Sequence, residues 1–291
     1  MRITPWIQEN ETQGLLADQI RMAQAESESD IEESLVFRES PELEVVLGRS
    51  GIAEQEAVLD RCELDHIPIV RRSSGGGTVL VGPGTLVYSL LLNRARHPEL
   101  NGIHVIHQTI LRRLCRALQS SLEGRHPSLE VTCLGICDLT LQNARPQYSL
   151  ATNTLTTNLL DLPHMKKCHK FRYGRRLVDT DDTKVVESFG RDMTSLWQNY
   201  PTRDPNFLFP ILPYFRVPRK FSGNAVRVSR RVLLYHGTIL YDFPIAFMRR
   251  YLREPIRRPD YRGTRNHDQF LTNFPVSREE IIQAIIRAFS W

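Results

Sequence analysis

Three consecutive glycines between two apolar stretches constrain this chain more than any other feature. Arg71-Arg72-Ser73-Ser74-Gly75-Gly76-Gly77 follows the run Ile67–Val70 and precedes Thr78–Val81. Glycine loses more backbone entropy on folding than any other residue, so a triplet at this place needs a reason. Positive φ, close approach of a ligand and an anion nest of successive N–H groups are the reasons available. Two adjacent arginines add fixed charge and forked donors suited to phosphate or carboxylate. A flexible turn beside two surface arginines would explain the same residues. The ligand loop is the reading carried forward.

At 291 residues the chain suits one large domain or two small ones. With 41% hydrophobic and 24% charged residues it has ordinary globular composition. Wholesale disorder, a collagen-like chain and a disulfide-dense scaffold are excluded. The opening MRITPWIQENETQ lacks a basic region followed by an apolar one, so no signal peptide is expected. The longest clean apolar stretch, Leu86–Leu92, is interrupted by Tyr88 and Ser89 and falls far short of the ~20 residues that span a bilayer. Five cysteines, an odd number, fit a reducing compartment. The expectation is a soluble cytoplasmic protein with no membrane segment.

The net charge of +5 is concentrated between Arg145 and Pro218, which hold eleven Lys/Arg and seven Asp/Glu. No aromatic-basic signature or zinc-finger spacing accompanies it, so no nucleic-acid partner is expected. The same stretch holds seven of the seventeen prolines, and its apolar residues keep no period. It reads as a long insertion, 145–218, poorly packed or disordered.

Elsewhere the periodicities are clearer. Thr12 can cap a helix running to about Ala25, with Leu15, Leu16, Ile20 and Ala23 near one stripe and Met22 beside it. Leu35–Phe37, Leu43–Leu47, Leu129–Val131, Cys137–Leu141 and Val232–Tyr241 read as strands. Ile67–Val70 contains Pro68 and suits an edge strand. Thr78–Val81 and Thr85–Leu92 flank Gly82-Pro83-Gly84 and suggest a β-hairpin. His104–Leu122 carries Ile106, Ile110, Leu114 and Leu118 at helical spacing, with His104 and His107 read as surface or boundary residues. Pro244 opens a short helix towards Leu252, and Ser277 with Glu280 forms a capping box for a final amphipathic one. Strands and helices are mixed without a βαβ repeat, and most strand pairs are joined by short turns. The fold expected is α+β, a mixed, largely antiparallel sheet flanked by helices.

Three further motifs carry chemistry. Lys220 stands beside the Ser222-Gly223-Asn224 turn. His236-Gly237-Thr238 interrupts an apolar strand, where an isolated glycine suggests close approach by a ligand. Gly135-Ile136-Cys137-Asp138-Leu139 places a carboxylate at a strand start. A solvated lysine, a structural histidine and an edge aspartate are the plainer readings of each alone.

Together, Arg71–Gly77, Gly135–Leu139, Lys220–Ala225 and His236–Leu240 resemble the RRxSGGG, G-x-x-D-L, K-x-S-G-x-A and H-G-T-x-L motifs of lipoate–protein ligases, in the biotin/lipoate ligase superfamily. Leu47–Ser50 and Pro259–Arg262 with Arg265 and His267 add weaker support. The resemblance covers nearly the whole chain outside the insertion. It implies a single catalytic domain over 1–291 that adenylates lipoate with ATP and passes the lipoyl group to a lysine of a lipoyl-domain protein. The acceptors implied are a 2-oxoacid dehydrogenase E2 or the glycine cleavage H protein. Lys220 would bridge the acyl carboxylate and the α-phosphate. Gly75, Gly76 and Gly77 would line the lipoyl slot, with Ser74, Ser222 and Gly223 also on substrate and Arg72 reaching an anionic group. His236, Gly237 and Thr238 would shape the nucleotide-side wall. Asp138 would hold Mg²⁺ or orient Lys220.

The chain departs from this pattern in two ways. About 74 residues separate the Asp138 strand from Lys220, so the insertion must leave and re-enter at neighbouring points. The remaining 217 residues suffice for the catalytic domain alone, which implies a separate accessory subunit. An ATP-independent octanoyl or lipoyl transferase using a cysteine thioester, with Cys133 or Cys137 as candidates, is the near alternative. An inactive lipoate-binding paralogue is another. A zinc module from Cys133, Cys137, His164, Cys168 and His169 is the least favoured.

Overall fold

Thr85–Leu92 is buried along its entire length, because it becomes a central strand covered on both faces. The computed structural model describes Arg2–Ile3 and residues 14–144 and 217–290. Over these residues the strands are β1 (Arg2–Ile3), β2 (Ser34–Arg38), β3 (Glu44–Leu47), β4 (Ile69–Arg71), β5 (Val79–Val81), β6 (Thr85–Asn93), β7 (Leu129–Leu134), β8 (Asp138–Asn143), β9 (Arg219–Val228) and β10 (Val232–Leu240). The main sheet has the order β1-β2-β6-β10-β9-β8-β7, antiparallel except for β1 on β2. A second sheet, β4-β3-β5, has one parallel and one antiparallel pair. The α+β expectation holds, and the Pro68 segment leads into β4, an edge strand.

Helices α1 (Gly14–Ser27), α2 (Ala53–Glu56), α3 (Leu59–Leu64), α4 (Ile103–Leu122), α5 (Ala246–Tyr251), α6 (His267–Phe270) and α7 (Arg278–Phe289) complete the fold. Alternation along the strands assigns the two faces of the main sheet. Leu86, Tyr88 and Leu90 of β6 and Leu233, Tyr235 and Ile239 of β10 meet Ile110, Leu114 and Leu118 of α4 and Ile281 and Ile285 of α7. On the other face Leu91, Val232 and Leu234 pack beneath Met22 and Ala25 of α1. Val87 packs there against Val46 and Val81 of the small sheet. The Ser277–Glu280 capping box starts α7 as expected.

The structure corrects three expectations. Thr78–Val81 and Thr85–Leu92 are not a hairpin: the Gly82-Pro83-Gly84 turn carries the chain from the small sheet into the main one. Gly84, at φ +86°, passes so close to the Asp242 backbone that a Cβ would sit 2.3 Å from it. His107 is buried, its Nδ1 3.0 Å from the Tyr235 hydroxyl. In α1 Ile20 and Ala23 face solvent, while Asp18, Met22 and Ala25 face inward. The cap expected at Thr12 lies outside the described residues.

So does the 145–218 insertion, apart from Val217 and Pro218. Its flanks are described: β8 and β9 pair directly, with Leu141 opposite Arg219, so the chain departs and returns at adjacent points.

Gly237 of β10 owes its identity to its neighbours. A Cβ there would meet Asn224 Oδ1 at 2.0 Å and Tyr88 Cε1 at 2.9 Å. Within the protein, the close approach at this glycine is made by β9 and β6 side chains. Gly237→Ala is expected to lower unfolding free energy by about 1–3 kcal/mol, the range for overpacking a tight interior. Urea denaturation checks this, and a loss under ~0.5 kcal/mol, within the range of a neutral surface change, contradicts it.

Candidate active site

The two arginines organise the glycine loop from within. Arg71 Nη1 donates to the carbonyls of Gly48 (3.0 Å), Arg49 (3.2 Å) and Gly51 (2.7 Å), holding the Leu47–Ser50 turn against the loop. Arg72 donates through Nη2 to Gly75 O and Gly77 O, both at 2.8 Å. Its Nη1 reaches Val46 O at 3.3 Å and its Nε reaches Ser74 Oγ at 3.1 Å. Arg72 is 6% exposed, and burial pushes its guanidinium down to about 10, with Glu56 opposing. Its donors are turned onto main-chain carbonyls of the loop and of β3.

Gly75, Gly76 and Gly77 are exposed, and a Cβ at Gly75 or Gly77 would meet nothing within 4 Å. Gly76 needs to be glycine for its own φ of +94°. Gly48 lies beneath it, where a Cβ would fall 2.0 Å from Gly76 O.

Ser74 ties the loop to the main sheet. Its Oγ lies 2.6 Å from His236 Nε2, and His236 Nδ1 donates to Asp18 Oδ2 at 3.0 Å. Asp18 is fully buried and also accepts from Arg38 (2.9 Å), Arg21 (3.2 Å) and the Ser89 hydroxyl. Burial by itself would raise the Asp18 carboxyl. The hydrogen bond and charge of His236, with the charges of Arg38 and Arg21, overcome this and hold it well below the ordinary carboxylate range. His236 is 3% exposed and braces the loop from inside.

Lys220 reaches its partner through a sheet irregularity. Along β8 and β9, Asp138 opposes Gly223, Leu139 opposes Ser222 and Thr140 opposes Lys220, which leaves Phe221 as an extra residue. In a regular strand residues three apart point to opposite faces; this bulge puts Lys220 and Gly223 on the same face. Lys220 Nζ then pairs with Asp138 Oδ1 at 2.7 Å. A Cβ at Gly223 would lie 2.9 Å from that ammonium, so glycine clears its path. Tyr261 Oη donates to Asp138 Oδ2 at 2.7 Å. Burial and the Asp138 charge push the Tyr261 phenol up, which keeps it a donor.

Of the two roles open to Asp138, orienting Lys220 fits the geometry. Both its oxygens are engaged, and among the described residues no three His, Cys, Asp or Glu side chains gather to hold a metal ion. Of the zinc candidates, His164, Cys168 and His169 lie outside the described residues.

A single cross-strand row joins these parts. Val87 opposes Thr238, Thr238 opposes Gly223, and Gly223 opposes Asp138. Directly opposed residues share a face, so the row runs from the valines of the small sheet to the Lys220 pair over roughly 14 Å, at about 4.8 Å per strand. His236, two residues from Thr238, presents Ser74 and the glycine loop on that same face. Cys137 interacts electrostatically with both Lys220 and Arg72, and burial pushes its thiol up. Ser222 belongs elsewhere: it is 1% exposed, shares the Leu139 face and accepts from Asn224 Nδ2 at 3.3 Å. The bulge that admits Lys220 to the site turns Ser222 away from it.

Asp18, Tyr88, Asn224 and Tyr261 are the participants that sequence reasoning did not assign. A polar residue at the helical spacing of Met22 and Ala25 was the available signal for Asp18. Tyr261 stood within a noted motif without a role.

The sequence profile of the Lipoyl protein ligase A/B catalytic domain family matches residues 15–125 and 196–290, and the chain belongs to that family. The unmatched stretch, 126–195, holds β7 and β8. Over 255 residues the chain is 22% identical to a candidate lipoate-protein ligase A of Schizosaccharomyces pombe. That match takes in 88% of this chain and 46% of the relative, so the chain spans about half the relative's length. The fold is similar to a bi-partite lipoate protein ligase of Thermoplasma acidophilum (TM-score 0.60, 16% identity, 99% of this chain and 82% of that one). It is also similar to Plasmodium falciparum LipL1 in complex with lipoate (0.54, 14%, 100% and 61%). A lipoate-protein ligase A bound with ATP compares equally (0.53, 17%, 99% and 83%). Among the described residues no helix is long and apolar enough to cross a membrane.

Because the Asp18 carboxyl is held low in the folded state, its contribution is present above the unfolded value of about 3.9 and is lost as pH falls further. Asp18→Asn is expected to cost about 3–5 kcal/mol at neutral pH by removing the buried anion that His236, Arg38 and Arg21 meet, and to flatten stability below about pH 4. Denaturant titrations from pH 2 to 7 read both; a variant with the parent's acid slope would contradict the assignment. Tyr261→Phe, which removes the donor to Asp138 Oδ2, should lower the rate of the family reaction by about tenfold, the equivalent of 1.4 kcal/mol. A single-turnover assay with an unchanged rate would speak against it.

Proposed function

We propose that this chain activates lipoate with ATP as lipoyl-adenylate and transfers the lipoyl group to a lysine of a lipoyl-domain protein. The observation that carries this reading is the Lys220 ammonium, held by Asp138 on the same face as the exposed glycine triplet. Lipoate and the α-phosphate are both anionic, and negative charge builds further as they react. A positioned cation is what that step requires.

The lipoate carboxylate attacks the α-phosphorus and pyrophosphate leaves. The acceptor's lysine amine then attacks the mixed-anhydride carbonyl, and AMP leaves. Lys220 spans carboxylate and phosphate in the first step, with Asp138 and Tyr261 fixing its ammonium. Gly75–Gly77 let the ligand approach the backbone, and Arg72 and Ser74 hold that loop in shape. Val70, Val79 and Val87 supply apolar wall for the acyl chain, whose burial at ~0.8 kcal/mol per methylene contributes roughly 5 kcal/mol before costs. The lipoate, ATP and E2 lipoyl domain named with the structural neighbours support these choices of substrate and partner. A separate accessory subunit, as in a bi-partite ligase, and a cytoplasmic setting complete the reading.

Lipoate-dependent exchange of labelled pyrophosphate into ATP is the direct test. Lys220→Ala is expected to lower it at least ~10²-fold, the scale for losing a charge-stabilising donor. Preformed lipoyl-adenylate should partly restore transfer in that variant. Transfer that needs no ATP and is abolished by Cys137→Ser would replace the ligase with a thioester-forming transferase.

A further inference from the structure

Two cysteines that the proposed chemistry leaves unused meet where α4 crosses β7. Cys115 lies one helical turn beyond Leu111 on α4, and Cys133 lies two residues beyond Val131 on β7, so each pair shares a face. Cys115 Sγ–H donates to Val131 O at 3.1 Å, and Cys133 Sγ–H donates to Leu111 O at 3.6 Å. Each thiol thus reaches across to the other's element. Cys133 is exposed and Cys115 half-buried behind it.

We propose that Cys115 and Cys133 form an oxidation site, in which hydroperoxide converts the exposed thiol to a sulfenic acid and the inner thiol closes a disulfide between α4 and β7. In the first step Cys133 sulfur attacks one peroxide oxygen, the O–O bond breaks and water leaves. In the second, Cys115 sulfur attacks Cys133 sulfur, the S–O bond breaks and a second water leaves. Two thiols and one hydrogen peroxide thus yield one disulfide and two waters, the sulfurs losing the two electrons the peroxide gains. The neighbouring Cys115 thiol, opposed by partial burial and aided by the nearby Arg112, holds the Cys133 thiol below its ordinary value, which favours it as the first to react. Among the described residues no thiol is placed against Cys137, whose own thiol is pushed up by burial, while Cys62 is buried.

This inference rests on the fold and is independent of the ligase reading. It has a structural consequence beside the site: β7 is the strand that pairs with β8, and Leu134 opposes Asp138.

The test uses the full-length wild-type chain, treated with equimolar hydrogen peroxide, quenched, unfolded and alkylated. Peptide mass mapping is expected to find the Cys115 and Cys133 peptides joined, two hydrogens lighter than their sum and separated by dithiothreitol. Alkylation of both thiols should fall together. In Cys115→Ser, Cys133 should run on to sulfinic acid. Three results would overturn the proposal: both thiols alkylated as in untreated protein, Cys133 reaching sulfinic acid in the wild type without a cross-link, or Cys133 joined to Cys62, Cys137 or Cys168.

Discussion

A buried carboxylate is the constraint from which the rest of this structure is arranged. Asp18 is removed from water on the inner face of α1, and an uncompensated charge there would not be tolerated. Its compensation comes from Arg21 on the same helix, Arg38 on β2, Ser89 on β6 and His236 on β10. One anion therefore aligns a helix and three strands. Through His236 and Ser74 the alignment passes to the loop between β4 and β5, which Arg72 then shapes by occupying its carbonyls. The guanidinium of Arg72 is engaged by the loop's own carbonyls, and the space above Gly75 and Gly77 is open.

The second arrangement is geometric. Lys220 and Asp138 lie far apart in sequence, and two adjacent antiparallel strands bring them together. Pairing alone would not suffice, since strand parity decides which face a side chain takes. The extra residue at Phe221 resets that parity for Lys220, and Gly223 leaves a channel across which the ammonium reaches Asp138. The K-x-S-G pattern thus describes a bulge, the lysine it admits and the glycine that lets it pass. Ser222, within the same pattern, is turned inward by the same event. A motif's residues need not all touch the ligand it predicts.

Much of this was legible in the chain before any coordinates. Amphipathic spacing in α4, the capping box of α7 and the apolar runs of β6 and β10 are local signals, and local signals survive folding. The glycine triplet, Lys220 and Asp138 declared themselves because their chemistry is costly without a purpose. Less legible were features that depend on what lies opposite. Gly237 announced a close approach without revealing that Asn224 and Tyr88 were the visitors. Arg72 announced an anion site, yet its guanidinium is spent on carbonyls a few residues away. The Gly82-Pro83-Gly84 turn had the composition of a hairpin, and it serves to change sheets.

What the sequence determined by itself was the inventory: the elements, the fold class, and the charged and glycine-rich motifs. Periodicity, capping and backbone permissiveness are properties of neighbouring residues, and they can be read along the chain. Only tertiary structure decided the direction in which each of those side chains acts. Facing depends on register, on a one-residue bulge and on the buried charge that had to be met from four elements at once, and none of these is a property of any single stretch of chain.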